Sequence, residues 1–236
     1  ILFQNRRGFS PVVECTTCGV SPQCPNCDVS LTYHKFKHEL RCHYCNYQRA
    51  MPNNCDACGS NTLDHKGFGT EQIELELKAL FPDHTIGRMD LDTTRGKHGY
   101  QKIIGAFEAR EIDVLVGTQM LSKGLDFDNV SLVGIINADS MLNFPDFRAH
   151  ERAYQMMVQV SGRAGRNKKQ GNVAIQTFNP YHQILQQVAA TNYTEMYNEQ
   201  LQERWQYKYP PYYRLIKITL KHRDYNNVDN GINWLA

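Results

Sequence analysis

Apolar residues recur along this chain with two different periods, and the switches between them mark out its parts. Ile73, Leu77, Leu80 and Phe81 share one helical face behind Gly67-Phe68-Gly69-Thr70-Glu71, which predicts a helix over 70–81 with Thr70 as N-cap and Pro82 as its stop. Thr85 to Met89 reads as a strand ending at Asp90-Leu91-Asp92, and Ile103, Ile104 and Phe107 stripe a second helix over 99–110. Two short apolar runs, 113–117 and 131–136, are bounded by Gly and Asp as buried parallel strands are. A helix over 147–160 follows, with Ala149, Ala153, Met156, Met157 and Val160 inward, and then a strand over 172–178. This β-α alternation predicts an α/β domain with a mostly parallel sheet. Loops after the strand ends of such sheets are where phosphates are usually met.

From Tyr181 the pattern changes. Ile184, Leu185 and Val188, then Met196, Leu201 and Trp205, predict two helices, and Tyr207 to Tyr213 is a Pro-Pro break rich in tyrosine. Leu215 to Leu220 alternates as a strand of a further domain. The aromatics there read as a domain-joining core rather than a base-stacking surface. The expected organisation is a main domain over 61–180 that begins in 1–14, an insertion over 15–60, and linker helices with a truncated further domain over 181–236. A start at Ile1 and a final segment barely followed through read as a piece of something longer.

Charge changes this picture little. A formal net charge of +2 neither argues for a nucleic-acid partner nor excludes one, so local basic clusters must carry that question. Arg6 and Arg7, beside a turn, read equally as phosphate contacts or as solvated charges. No apolar run approaches the roughly 20 residues of a membrane span, and no signal-peptide pattern opens the chain, so a cytoplasmic, membrane-free protein is expected. Asp90 and Asp92 read as loop or cap residues, because nothing else nearby completes a magnesium site.

Cysteine usage changes it a great deal. All 8 cysteines lie between 15 and 58 in Cys-x-x-Cys pairs: Cys15/Cys18, Cys24/Cys27, Cys42/Cys45 and Cys55/Cys58. Each pair brackets a tight turn that lets two thiolates converge on one ion, and four thiolates close a tetrahedral structural zinc site. Two zinc ions are therefore expected. Leu31 to His34 and Leu40-Arg41 around a Lys-His-Glu tip read as a hairpin between Cys27 and Cys42. That spacing favours Cys24, Cys27, Cys42 and Cys45 around one ion and Cys15, Cys18, Cys55 and Cys58 around the other. Sequential pairing, with only five residues between Cys18 and Cys24, is tighter but open. With eight thiolates filling two sites, His34, His38 and His43 read as ordinary hairpin residues. Lys35, Lys37 and Arg41 beside Tyr33, Phe36 and Tyr44 suit a nucleic-acid strand or a docked protein equally. A thiol redox protein would need one reactive pair rather than four matched ones.

Gln159-Val160-Ser161-Gly162-Arg163-Ala164-Gly165-Arg166 resembles motif VI of superfamily 2 helicases, and Thr118 with Lys123-Gly124-Leu125-Asp126 resembles their motif V. With four cysteine knuckles between Asn5-Arg6-Arg7-Gly8 and Gly69-Thr70-Glu71, and a Tyr-Pro-Pro-Tyr-Tyr run further on, the whole chain resembles the PriA (primosomal protein N′) family of replication-restart helicases. The resemblance implies a RecA-like second motor lobe with helices on both sheet faces, an inserted double zinc ribbon and the start of an α+β C-terminal domain. It implies that Arg166 is an arginine finger and that Arg163 assists at the phosphates or couples the lobes. Gly124, Asp126 and Gln159 would lie at the nucleotide, and Thr118, Gln119 and Lys123, with Arg6 and Arg7, at the DNA. It further implies ATP and Mg2+ in the intact protein, 3′-to-5′ unwinding at stalled forks, and a place near the bacterial nucleoid. Partners implied are forked and single-stranded DNA, primosome proteins, single-strand-binding protein and the loader of the replicative helicase. One departure matters: no Gly-x-x-x-x-Gly-Lys-Ser/Thr loop is present, since Arg95-Gly96-Lys97-His98 lacks both the earlier glycine and the hydroxyl. This chain alone is therefore expected not to hydrolyse ATP. The alternative function is a zinc-ribbon adaptor that binds DNA or protein beside a catalytically inactive α/β scaffold.

Overall fold

The computed structural model describes residues 1–5, 12–26, 29–43, 45–96, 98–121, 127, 129–165, 171–216, 218–220, 222 and 224–235. In chain order the strands and helices begin with β1 (Leu2–Gln4), β2 (Val12–Cys15), β3 (Thr32–His34), β4 (Glu39–Arg41), β5 (Gln48–Ala50) and β6 (Leu63–Lys66). There follow α1 (Thr70–Leu80), β7 (Ile86–Met89), α2 (Gly99–Glu108), β8 (Val114–Gly117), a single 3-10 turn at Gln119–Leu121, β9 (Leu132–Ile136) and α3 (Asp139–Leu142). The chain continues through α4 (Ala149–Ser161), β10 (Asn172–Ile175), α5 (Gln183–Ala189), α6 (Tyr193–Gln206) and α7 (Tyr225–Leu235).

Five strands form one parallel sheet in the order β10-β9-β1-β8-β7, flanked by helices. The α/β reading of the pattern is the fold observed. The sheet's central strand, however, is β1, a three-residue segment that carries no alternation for sequence reasoning to use. Leu2 faces Val116 on one side and Gly134 on the other. Phe3, Leu115, Val116 and Val133 are wholly buried, and α4 covers the sheet with Ala153, Tyr154, Met157 and Val160. Tyr154 takes the inward place expected of Met156, which is only half-buried.

Several local expectations are corrected. The N-cap of α1 is Gly69, and Thr70, the first helical residue, points its hydroxyl to Asp90 Oδ2 at 2.7 Å instead. Leu80 and Phe81 lie outside the buried stripe of α1, at 70% and 47% exposure, because that helix packs on the sheet mainly through Ile73 and Leu77. The strand expected over 172–178 ends at Ile175, where the Gln176 carbonyl turns to accept from the Ala138 N–H. Among the described residues of 215–220 there is no strand, and a helix, α7, follows instead.

The cysteine-rich segment leaves the sheet after β1 and returns before α1. Its ends are drawn together by an antiparallel pair, β2 with β6. Beyond that stalk lies a three-stranded antiparallel sheet, β3-β4-β5, of which β3 and β4 are the expected hairpin. Its small core is Val13, Leu31, Tyr33 and Leu40 with the buried Cys24 and Cys42. The chain divides into two compact units, Ile1–Asn192 and Tyr193–Ala236. In the first, α5 packs on α4 and buries Ile184, Leu185 and Val188. In the second, Trp205, Tyr207, Tyr212 and Tyr213 are exposed rather than gathered into a core.

Candidate metal centres and strand-end loops

The described parts of the knuckles share one pattern. The first cysteine donates its N–H five residues on, from Cys15 to Val20, Cys24 to Val29, Cys42 to Tyr47 and Cys55 to Ser60, at 2.7–3.0 Å. Its carbonyl accepts from the residue after the second cysteine: Gly19 to Cys15, Asn46 to Cys42 and Gly59 to Cys55. Closing that turn requires left-handed backbone, with φ of 72° at Gly19, 60° at Asn46 and 74° at Gly59, where Gly and Asn are the tolerant residues. Its signal in the sequence is Cys-x-x-Cys followed by Gly or Asn, which three of the four pairs carry.

The turns bring the thiols into two groups. Cys15, Cys18, Cys55 and Cys58 place their sulfurs within 4.8 Å of one another, as do Cys24, Cys42 and Cys45. Cys27, expected as the fourth ligand of the second group, lies outside the described residues. The sulfurs of Cys15 and Cys58 and of Cys18 and Cys55 lie 3.6 Å apart, and those of Cys24 and Cys45 3.5 Å apart. Zinc bound tetrahedrally at a Zn–S length of about 2.3 Å separates its sulfurs by about 3.8 Å, so both groups fit that ion. None of the metal-capable groups among the described residues includes a histidine. His34 Nε2 instead meets His43 Nε2 at 2.9 Å, and His38 Nδ1 meets the Tyr33 hydroxyl at 2.8 Å.

The outer group has a second layer that sequence reasoning missed. Ser60 Oγ lies 3.1 Å from both Cys15 Sγ and Cys58 Sγ, and is backed by Thr62 Oγ1 at 3.1 Å. Thr17 Oγ1 extends the ladder to Thr62 at 2.6 Å. The Ser60 hydroxyl is the main cause that holds both the Cys15 and Cys58 thiols below the ordinary thiol range, which favours the thiolate a metal needs.

The other expected site residues fall at two edges of the parallel sheet. Thr118 and Gln119 follow the carboxyl end of β8: the Thr118 N–H reaches the Met89 carbonyl at 3.3 Å, and Gln119 Nε2 reaches Asn5 Oδ1, just past β1, at 3.3 Å. Beside them Asp90, fully buried at the end of β7, accepts from the backbone N–H groups of Asp92 and Thr93 and from Arg88 Nη1 at 3.1 Å. Asp90 thereby fixes the loop as a cap residue does. Arg163 follows α4 at the opposite, amino-terminal edge, where Gly165 adopts φ 78° and gives its N–H to the Val130 carbonyl ahead of β9. Arg163 is half-buried and Gln159 exposed. Arg6, Arg7, Lys123, Gly124, Asp126 and Arg166 lie outside the described residues, as do Tyr44 and Lys97.

Residues 24–49 match the PriA DNA helicase Cys-rich region domain, and residues 68–168 match the helicase conserved C-terminal domain. The chain is 44% identical over 224 residues to the replication restart protein PriA of Bacillus subtilis, covering 95% of this chain and 28% of that protein. It is also 44% identical to the proteins of that name from Synechocystis sp. and Haemophilus influenzae, over 240 and 226 residues. Those alignments cover 100% and 95% of this chain but 29% and 31% of the relatives, so the chain spans less than a third of their length. No helix among the described residues is long and apolar enough to cross a membrane.

Proposed function

The chain belongs to the PriA replication-restart family, and from that premise we propose that it is the second motor lobe and zinc module of an ATP-dependent 3′-to-5′ DNA helicase. The parent protein would act at stalled forks, in the cytoplasm near the nucleoid, and load the replicative helicase with primosome proteins and single-strand-binding protein. One observation supports this reading above others: a double cysteine module interrupts one parallel sheet between its central strand and its first helix.

The two sheet edges divide the work. Thr118 and Gln119, with Lys123, Arg6 and Arg7, hold a DNA strand by its phosphates, a contact that carries no sequence information and so suits translocation. From the other edge, where Arg163 lies, the arginine motif reaches across an interlobe cleft to a triphosphate bound with Mg2+ on the first lobe, with Arg166 as the finger and Arg163 assisting it. An arginine so placed stabilises the charge that develops on the transferred phosphoryl group and contributes on the order of 10³–10⁵ in rate. Gly124, Asp126 and Gln159 contact the nucleotide from this lobe. Two zinc ions, held by Cys15, Cys18, Cys55 and Cys58 and by Cys24, Cys27, Cys42 and Cys45, supply structural cross-links to the module.

The test is DNA-stimulated ATP hydrolysis by the full-length protein, wild type against Arg166→Ala, on forked and on blunt duplex DNA. Fork-stimulated turnover that falls at least about 10³-fold in the variant, with zinc content unchanged, is the expected result. Equal turnover in the two proteins makes the arginines structural and leaves the zinc-ribbon adaptor as the better account.

A further inference from the structure

The β3–β4 hairpin meets the parallel-sheet domain through buried polar groups. Glu71, in the first turn of α1 and 7% exposed, accepts a hydrogen bond from the Phe36 backbone N–H at 2.9 Å. The hairpin tip is thus held from a helix start while the Phe36 ring stays 92% exposed. Asp92 faces the flank of the same hairpin, with Oδ2 3.6 Å from His34 Nδ1 and Oδ1 3.8 Å from Arg41 Nη1 and 3.0 Å from Arg95 Nη2. Through His34 and its 2.9 Å contact with His43, the line of contacts enters the Cys42/Cys45 knuckle.

On the motor side the same line continues to the sheet edge. Asp90 binds the backbone N–H of Asp92 and the hydroxyl of Thr70, so it joins the Asp92 loop to the start of α1. Thr94, in that loop, sets its hydroxyl 3.5 Å from Met120 Sδ, within the turn that carries Thr118 and Gln119. Hydrophobic packing does not account for these groups. Asp92 Oδ2, Arg41 Nε and Glu39 Oε1 are buried without a hydrogen bond, and burial raises the Glu71 carboxyl above its ordinary range. Desolvated charges at such distances oppose stability, and their best-attested use is to specify one arrangement among several.

We infer that Glu71 and Asp92 are positioning residues that latch the zinc hairpin to the Thr118–Gln119 edge of the sheet, so that the zinc module and the DNA-tracking turn shift as one body. The coupling to DNA rests on the motor-lobe reading above. The docking itself does not. Because the interface is polar and incompletely paired, one substitution suffices to open it.

The test uses the full-length protein with Glu71→Ala, Asp92→Asn and, as the conservative variant, Glu71→Gln, which keeps an acceptor for the Phe36 N–H. In Glu71→Ala the Phe36 amide should exchange its hydrogen about tenfold faster or more, and in Glu71→Gln at close to the wild-type rate. Zinc content and fork-stimulated ATP turnover should stay within about twofold of wild type. Base pairs opened per ATP should fall about tenfold in Glu71→Ala and Asp92→Asn and recover in Glu71→Gln. If turnover and unwinding fall in proportion, or Phe36 exchange is unchanged in Glu71→Ala, the latch is overturned. If the wild-type protein neither hydrolyses ATP nor unwinds DNA, it is the motor reading that fails. The latch is then judged by exchange at Gln119–Leu121: acceleration there in Glu71→Ala sustains the mechanical link, and an unchanged rate overturns it.

Discussion

Ser60 stands between two thiols that a zinc ion would share, and its hydroxyl lowers the proton affinity of both. Hydrogen bonds to metal-bound sulfur orient the ligand and tune its basicity, and losing such a partner typically weakens metal binding 10–100-fold. Ser60→Ala should therefore release one of the two zinc ions at about 10–100-fold lower chelator concentration while the other is held as before. Chelator competition with a zinc-sensitive dye reads this directly, and release of both ions together would show that the sites are not independent. At this scale the sequence was generous where chemistry is carried by residue type and spacing, as in the cysteine pairs. It was silent where a role depends on a long-range neighbour. Ser60 looks like any loop serine until the Cys15 and Cys58 knuckles are folded against each other. Glu71 looks like an ordinary first-turn acid until Phe36, 35 positions earlier, donates to it.

The elements divide along the same physical line. Helices α1, α2 and α4 were legible from the apolar stripe each carries, and strands β7, β8 and β9 as short runs between turn residues. Strand β1 was not, since three residues show no period and its place is set by pairing on both sides. Nor was β5, whose Gln-Arg-Ala has no apolar alternation and is a strand because β4 offers it a ladder. The reverse error befell 215–220, where alternation without a partner among the described residues gives no strand; strand preference is a matter of context. The module between β2 and β6 is an extreme case, because its apolar core is too small to hold 50-odd residues by burial, and domains of that size usually need metal. Stripping zinc should therefore abolish amide protection across 12–66 while β8 and β9, whose core of Leu115, Val116 and Val133 lies in another layer, keep theirs. Hydrogen exchange with and without chelator makes the comparison. Loss of protection in the sheet at the same chelator concentration would mean that the module and the sheet fold as one unit.

At the scale of the whole molecule, the proposed function puts two chemistries at opposite edges of the parallel sheet. The Thr118–Gln119 turn sits at the carboxyl edge beside Asn5, and Gly165, two residues past Arg163, sits at the amino edge, where it gives its N–H to Val130. An arginine finger does nothing without a phosphoryl group presented to it, and presenting that group takes a glycine-rich loop whose N–H groups and lysine cradle the polyphosphate. No stretch of these residues has that pattern; the nearest, Arg95-Gly96-Lys97-His98, lacks the earlier glycine and the terminal hydroxyl. In the proposed function the arginines would thus act on a phosphoryl group that a loop of this kind, missing from this sequence, has to present. It follows that the purified 236-residue chain should turn over ATP no faster than buffer, with or without forked DNA, while retaining its zinc. A phosphate-release assay on the chain and on the full-length protein, side by side, checks it. Turnover by the chain at a helicase-like rate would place a nucleotide site within these residues and remove the need for a first lobe, and with it the reading of Arg163 and Arg166 as groups that act across a cleft.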